Sequence, residues 1–166
     1  LPTHTTPSTW RDIKVYNNYA FVVSEAGGHG MQVFDLTRLR SPLDMPITFT
    51  EDAHYPGVSN SHNIVLNETT GYAYPVGTDQ ASGGPVFVNI QDPLNPVLEG
   101  SYSDLGYSHD AQVVTYTHTH IYAHIQTYTY TRIHSHIYTH LHIHSYTHIY
   151  TTTHVHTCTH VLIYNI

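Results

Sequence analysis

Three pairs of adjacent polar residues recur in the first part of the chain, each directly before a short apolar segment. The pairs are Arg11-Asp12, His62-Asn63 and His109-Asp110. Neutral imidazoles and carboxylates are common ligands of divalent metal ions. If the segments converge, these residues form a polar ring for a cation or small polar ligand, with His62, His109 and Asp110 as candidate metal ligands. The alternative is structural, because short polar side chains at strand starts also satisfy loop amides and tie neighbouring segments together.

Three further residues are candidates for binding or modification. His29 in AGGHGM and His54 in EDAHY lie in loop-like sequence, so either can join the polar ring or simply be solvated. Asn67 begins an N-x-T sequon and is a glycosylation candidate if the chain enters a eukaryotic secretory pathway. No residue is assigned a catalytic role, because the sequence contains no G-x-S-x-G, H-E-x-x-H, phosphate-binding-loop or dinucleotide-binding motif. A divalent cation is the only cofactor that these residues suggest.

The composition changes abruptly near Tyr116. All 12 acidic residues lie at or before position 110, whereas most of the 17 histidines follow position 116. The acidic excess of residues 1–116 argues against a nucleic-acid partner, which requires a basic surface. No apolar run approaches the roughly 18 residues of a membrane-spanning helix. The single cysteine, Cys158, leaves no disulfide framework, and the start at Leu1 suggests that the native N-terminus lies upstream.

Residues 117–166 form a histidine-rich, low-complexity tail in which Thr, His, Ile and Tyr recur as THIY. One interpretation is a metal site, because HxH pairs such as His118/His120 place two imidazoles on one face of a strand. A second is a set of strands, since Thr, Ile and Tyr have high β-propensity, although no turn residue precedes Asn165. A third is translated simple-sequence DNA, because a repeated ACAT tetranucleotide encodes Thr-Tyr-Ile-His. We favour the third, since it alone explains all four residue types.

The first 116 residues contain an internal repeat. RDIKVYNNYAFVVSE from Arg11, HNIVLNETTGYAYPVGT from His62 and HDAQVVTY from His109 resemble one another, and GMQVFDL parallels GPVFVNI. Each of the two complete units predicts four short strands separated by Asn-, Gly- and Pro-containing turns. The predicted strands are 12–16, 19–25, 31–36 and 47–51, followed by 62–67, 72–78, 85–90 and 97–102.

Four antiparallel strands in a unit of about 50 residues are typical of a β-propeller blade. We therefore predict an all-β fold, a propeller fragment with two blades and the first strand of a third at 10–116. A linker at 1–9 precedes it, and the tail at 117–166 follows it. Because a propeller closes with about 4–8 blades, the chain is expected to be part of a longer propeller. A β-sandwich built from the same eight strands is the alternative.

Several motifs in order resemble the choice-of-anchor B proteins, also described as LVIVD-repeat proteins. They are WRDIKVYNNYAFVVSE, HGMQVFDLTRLR, FTEDAHY, SHNIVLNETTGYAYPVGT, SGGPVFVNIQDPLNPV and YSHDAQVVTY, which together cover about 8–116. The tail shows no such resemblance. The resemblance implies an extracellular or cell-surface β-propeller, and it supplies no enzymatic activity.

Two functions are compatible with these observations. The first is a non-catalytic secreted or cell-surface propeller module, truncated here, that binds a protein or glycan and neither nucleic acid nor a membrane interior. The second is a propeller-type hydrolase or lyase with a metal or His/Asp site at the mouth of the propeller's central channel. Converging His and Asp side chains without partners would favour the enzyme. A channel filled by apolar side chains would favour the binding module.

Overall fold

The computed structural model of the chain describes residues 1–41, 46–104, 106–123, 131–132, 142–143 and 151–164, with side chains described as far as position 115. The chain divides into two compact units, Leu1–Val114 with His160–Ile166, and Thr115–Thr159. In these described ranges the regular structure consists of strands and two short 3₁₀ turns, Leu36–Leu39 and Ala81–Gly83. The predicted all-β class is therefore confirmed.

The first sheet contains four antiparallel strands in sequence order. They are β1 (Arg11–Tyr16), β2 (Tyr19–Ser24), β3 (Met31–Asp35) and β4 (Ala53–Tyr55). Asn17 and Asn18 connect β1 to β2 with positive φ angles of 50° and 67°. Asparagine adopts this left-handed conformation more readily than most residues, and two such residues match the twist of a tight hairpin.

The second sheet repeats this arrangement. Its strands are β5 (Asn63–Asn67), β6 (Tyr72–Val76), β7 (Val86–Asn89) and β8 (Val97–Ser101), again antiparallel and in sequence order. Gly71 ends the β5–β6 turn with a φ of 71°, and an added Cβ there would lie 2.7 Å from the Gln91 side chain. Seven of the eight predicted strands agree with the structure to within two residues at each end.

The fourth strand of the first sheet was predicted in the wrong place. Residues 47–51 were expected to form it, but the strand paired with β3 is Ala53–Tyr55. This register places Tyr55 in the core, where it is 7% exposed. Phe49 instead contacts Phe34 edge-on, with ring centroids 5.2 Å apart. The alternating ITFT pattern thus reflects side-chain packing of a loop rather than a strand ladder.

The two sheets share one hydrophobic core. The first sheet contributes Phe21, Val23, Met31, Val33 and Tyr55, and the second contributes Ile64, Ala73, Val86, Val88 and Ile90. The first strands of the two sheets, β1 and β5, are in contact. Burial of apolar side chains between the sheets contributes about 1.5–3 kcal/mol for each large residue that leaves water. This core makes the two sequence repeats a single structural unit.

One face of β1 remains uncovered beside this core. Ile13 is 56% exposed and Val15 is 49% exposed. Val97 and Leu98 of the edge strand β8 are similarly exposed. Apolar surface is therefore available at β1 and at the edge of the second sheet.

The described residues after position 109 also form strands. They are β9 (Asp110–Ala123), β10 (Thr131–Arg132), β11 (His142–Ile143) and β12 (Thr151–Tyr164). β9 pairs with β12, and β10 pairs with β11. The β-propensity of Thr, Ile and Val thus produces strands although the tail has no turn residues before Asn165. Within the described ranges, no helix has the length and apolar character needed to cross a membrane.

Candidate functional site

Equivalent residues at the starts of β1, β5 and β9 make the same local hydrogen bond. Oδ1 of Asp12, Asn63 and Asp110 accepts the backbone N–H of the following residue at 2.8, 2.7 and 2.7 Å. Short polar side chains commonly satisfy neighbouring backbone groups in this way. The repeated geometry matches the three equivalent positions found in the sequence.

The same side chains also join the three strands to one another. Oδ2 of Asp12 accepts the Ile64 N–H at 3.2 Å and the Lys14 ammonium at 2.5 Å. Nδ2 of Asn63 donates to Oδ1 of Asp110 at 3.1 Å. The predicted polar residues are therefore brought together, and their oxygens accept from backbone and side-chain donors. This geometry fits the structural alternative for these residues.

The two histidines of the predicted ring lie side by side. The rings of His62 and His109 have centroids 4.3 Å apart and planes tilted by 50°. Nδ1 of His62 contacts Oε1 of Glu25 at 2.5 Å, so the imidazole donates to this carboxylate. Nδ1 of His109 is buried and has no hydrogen-bond partner. Nε of Arg11 donates to the Ser8 carbonyl at 3.2 Å.

Tight packing around Gly77 holds His62 in place. Gly77 has a φ of 60°, and an added Cβ would lie 2.6 Å from His62 Cβ and 3.0 Å from the Tyr107 hydroxyl. Cβ atoms do not approach other atoms so closely without displacing them. A glycine here is thus required both by the backbone conformation and by the proximity of the two side chains.

Two exposed aromatic residues border the His62–Glu25 pair. Trp10 is 58% exposed, and its ring centroid lies 6.2 Å from that of His62. Tyr107 is 51% exposed, and partial burial followed by the charge of Glu25 raises the pKa of its phenol. The phenol therefore remains protonated and able to donate at neutral pH. We call Trp10, Glu25, His62, Tyr107 and His109 the strand-start site.

A second cluster lies where the N-terminal segment meets β4. His4, Glu51 and His54 offer three ligand atoms within 4.8 Å of one another, the only such group among the side chains that the structure describes. The ring of His4 stacks on that of His54 at 3.7 Å, and Nδ1 of His4 lies 2.8 Å from Oε1 of Glu51. We call these three residues the His-Glu-His cluster.

The role of His62, His109 and Asp110 as metal ligands stays a prediction.

The His-Glu-His cluster borders a pocket of about 260 Å³. Its walls come from the N-terminal segment, from β3 and from the loop before β4: Leu1, Pro2, Thr3, His4, Gln32, Thr48, Phe49, Thr50 and Glu51. Gln32 is 3% exposed, and its Nε2 donates to Oε2 of Glu51 at 2.6 Å. The carboxylate is thereby held at the pocket wall by a buried side chain.

His29 and His54 belong to this second region of the fold. His29 is fully buried rather than solvated, and its backbone carbonyl accepts a hydrogen bond from Nε2 of His54 at 2.8 Å. Burial lowers the pKa of the His29 imidazole, and the nearby Arg11 charge lowers it further. At neutral pH the ring is therefore uncharged, with Nδ1 donating to the Gly30 carbonyl at 3.1 Å.

Asn67 ends β5 and organises the turn that follows. It is 5% exposed, and its Oδ1 accepts the backbone N–H groups of Thr69 and Thr70 at 3.1 and 3.3 Å. Glycosylation at Asn67 stays a prediction. In the folded chain a glycan there would require this buried side chain to leave the turn.

The residues missed by sequence reasoning are Trp10, Glu25 and Tyr107 in the strand-start site and His4 and Glu51 in the second cluster. Glu25 is 37 positions from His62, and Glu51 is 47 positions from His4. Contacts of this length follow from the sheet packing and carry no local signal. The tail histidines lie outside the side chains that the structure describes.

Comparison with known proteins gives no further assignment. No family model, no curated protein and no solved structure matches the chain.

Proposed function

We propose that the chain is part of a non-catalytic β-propeller module, secreted or at the cell surface, that binds a glycan through the strand-start site. The observation that carries this proposal is the presence of two exposed aromatic rings, Trp10 and Tyr107, beside the Glu25–His62 pair. Aromatic faces pack against the apolar faces of sugars, and a carboxylate accepts hydrogen bonds from their hydroxyl groups.

The arrangement of the sheets supports the propeller part of the proposal. Both sheets are four-stranded meanders, and their first strands, β1 and β5, are neighbours. Adjacent blades of a propeller bury each other's faces and place their first strands together around the axis. Asp12 and Asn63 link successive first strands at equivalent positions.

The hydrogen bonds of the polar ring support binding rather than catalysis. Oδ1 of Asp12 and Oδ1 of Asp110 each accept a backbone N–H, and Oδ2 of Asp12 accepts two further donors. Carboxylate oxygens that already accept these hydrogen bonds are poorly placed to take a proton from a substrate. The groups that remain accessible to a ligand are the rings of Trp10 and Tyr107 and the solvent-exposed part of the His62–Glu25 pair.

The test is binding of the labelled full chain to an array of defined glycans. We expect a bound glycan whose affinity falls about two- to twelvefold in Trp10→Ala, because an aromatic contact contributes about 0.5–1.5 kcal/mol. Leu94→Ala is the matched control, since Leu94 is 44% exposed on the β7–β8 connection. Binding by none of the glycans, or equal binding by Trp10→Ala and Leu94→Ala, would refute the proposal. Binding to a panel of purified extracellular proteins instead would assign the module to a protein partner.

A specific contact also favours a second candidate function, a hydrolase. Glu25 orients the His62 imidazole at 2.5 Å, as a carboxylate orients a general base, and Nδ1 of the neighbouring His109 has no partner. This function predicts turnover of p-nitrophenyl esters or glycosides that is lost in His62→Ala. Equal background hydrolysis by the parent chain and His62→Ala would eliminate it.

A further inference from the structure

The His-Glu-His cluster combines ligand types that suit one class of ion. Two imidazoles and one carboxylate form a mixed nitrogen and oxygen set, which zinc and neighbouring transition metals bind in preference to calcium or magnesium. We propose that His4, Glu51 and His54 bind a divalent transition-metal ion, with Zn²⁺ the best match. The proposal concerns a different part of the fold from the strand-start site and does not depend on the function proposed for that site.

Two of the three ligands are already oriented by neighbouring groups. Gln32, itself 3% exposed, donates to Oε2 of Glu51 at 2.6 Å, which leaves Oε1 directed toward His4. Nε2 of His54 contacts the His29 carbonyl oxygen at 2.8 Å, so this nitrogen carries the proton and Nδ1 keeps a free lone pair. Metal-binding histidines commonly donate their second ring N–H to a backbone carbonyl in this way.

The third ligand has the freedom to complete the site. His4 lies in the exposed N-terminal segment, where Nδ1 now donates to Oε1 of Glu51 and the ring stacks on His54 at 3.7 Å. Zinc binds imidazole nitrogen at about 2.0–2.1 Å, so tetrahedral ligand atoms lie roughly 3.3–3.5 Å apart. Because the three ligand atoms lie within 4.8 Å of one another, closure needs a shift of up to about 1.5 Å and a tilt of the His4 ring. The ion replaces the proton between His4 and Glu51.

The neighbouring pocket gives such an ion an open coordination position. The pocket of about 260 Å³ is walled by His4, Gln32 and Glu51, two of which are ligands. Three protein ligands leave one tetrahedral position for water or an external anion. Metal binding would also tie the N-terminal segment to β4, so that the folded Leu1–Val114 unit gains stability.

A zinc-induced rise in the unfolding temperature distinguishes this site from the histidines of the tail. Binding to the folded state alone raises the unfolding temperature, whereas ligands that bind folded and unfolded chains equally do not. The single tryptophan, Trp10, reports unfolding of the Leu1–Val114 unit. With the full chain and zinc at roughly 100 times the dissociation constant, we expect the midpoint to rise by roughly 5–15 °C.

Three variants make the test specific. Glu51→Gln keeps the size of the side chain, and His4→Ala removes an exposed ring, so both are expected to fold and to lose the zinc-induced shift. The matched control replaces His140, His142 and His144 of the tail with alanine and should keep the full shift. The proposal is overturned if the parent chain shows no zinc-induced shift. It is also overturned if Glu51→Gln and His4→Ala show a shift as large as that of the parent chain. Loss of the shift only in the tail variant would assign the bound metal to the tail.

Discussion

Replacing Gly77 with alanine tests the packing that holds the strand-start site together. The added methyl group would lie 2.6 Å from His62 Cβ, 3.0 Å from the Tyr107 hydroxyl and 3.2 Å from the Ser108 carbonyl oxygen. The Tyr107 hydroxyl is the tip of a half-exposed side chain and can move, but His62 Cβ is attached directly to the backbone and the Ser108 oxygen is backbone. The substitution therefore pushes His62 and Tyr107 away from residue 77, in addition to placing alanine at a φ of 60°.

Three contributions set the size of the effect. A left-handed conformation costs alanine about 1–2 kcal/mol. Forcing a methyl group into an occupied space costs typically about 1–3 kcal/mol. Loss of glycine flexibility in the unfolded chain returns about 0.4–1 kcal/mol. We expect a net loss of about 2–4 kcal/mol in the free energy of unfolding.

Two other glycines separate the backbone contribution from the steric one. Gly106 has a φ of 69° but nothing within 4 Å of an added Cβ, so Gly106→Ala should cost about 1 kcal/mol. Gly27 also has nothing within 4 Å and does not have a φ in the left-handed region, so Gly27→Ala should be neutral or slightly stabilising. The expected order of stability is Gly27→Ala, then Gly106→Ala, then Gly77→Ala.

The assay is urea denaturation of the full chain followed by Trp10 fluorescence. With a denaturant dependence of about 1.5 kcal/mol per molar urea, Gly77→Ala should lower the midpoint by roughly 1–3 M. If Gly77→Ala and Gly106→Ala unfold at the same urea concentration, His62 and Tyr107 do not crowd Gly77, and the geometry of the strand-start site is refuted.

Two further predictions concern Asp12 and His29. Asp12→Ala should lower the free energy of unfolding by about 1–2 kcal/mol, because it removes the acceptor for two backbone N–H groups, and the exposed Asp104 gives the control substitution. A change in Asp104→Ala as large as that in Asp12→Ala would contradict this reading. For His29, burial lowers the pKa in the folded state, so the unfolded chain binds the proton more readily and stability is lost as pH falls below about 6.5. Denaturation at pH 7 and pH 5 should show a smaller loss in His29→Gln than in the parent chain, and an equal loss would exclude His29 as its source.

The strands could be predicted because their signals are local. Asn17-Asn18 marks a tight turn by itself, and the apolar segments on either side define the hairpin. The fourth strand could not be placed, since 47–51 and Ala53–Tyr55 differ only in which of them pairs with β3. That choice depends on burying Tyr55 in a core to which both sheets contribute, and no short window of sequence contains this information.

Some residues of the candidate sites could likewise be predicted from local sequence, and others could not. His62 and His109 could be identified because they occupy equivalent positions in a repeat, which brings them together once the repeats stack. Glu25 has no counterpart in that pattern, and its contact with His62 arises only from the packing of the two sheets. Composition gave no sign of the second cluster either, since His4 and His54 lie in the acidic first part of the chain rather than in the histidine-rich tail.

Apolar residues of the first strands differ in exposure, and this difference bears on what lies beside β1. Ile64 of β5 is fully buried, whereas Ile13 at the equivalent position of β1 is 56% exposed and Val15 is 49% exposed. A repeat that stacks on a neighbour buries its apolar residues only where that neighbour is present. Covering each half-exposed aliphatic side chain would contribute roughly 1 kcal/mol, so the open side of β1 favours association with a further sheet. The open side of β1, next to the buried Ile64 of β5, therefore supports the proposal that these two sheets belong to a longer series of blades.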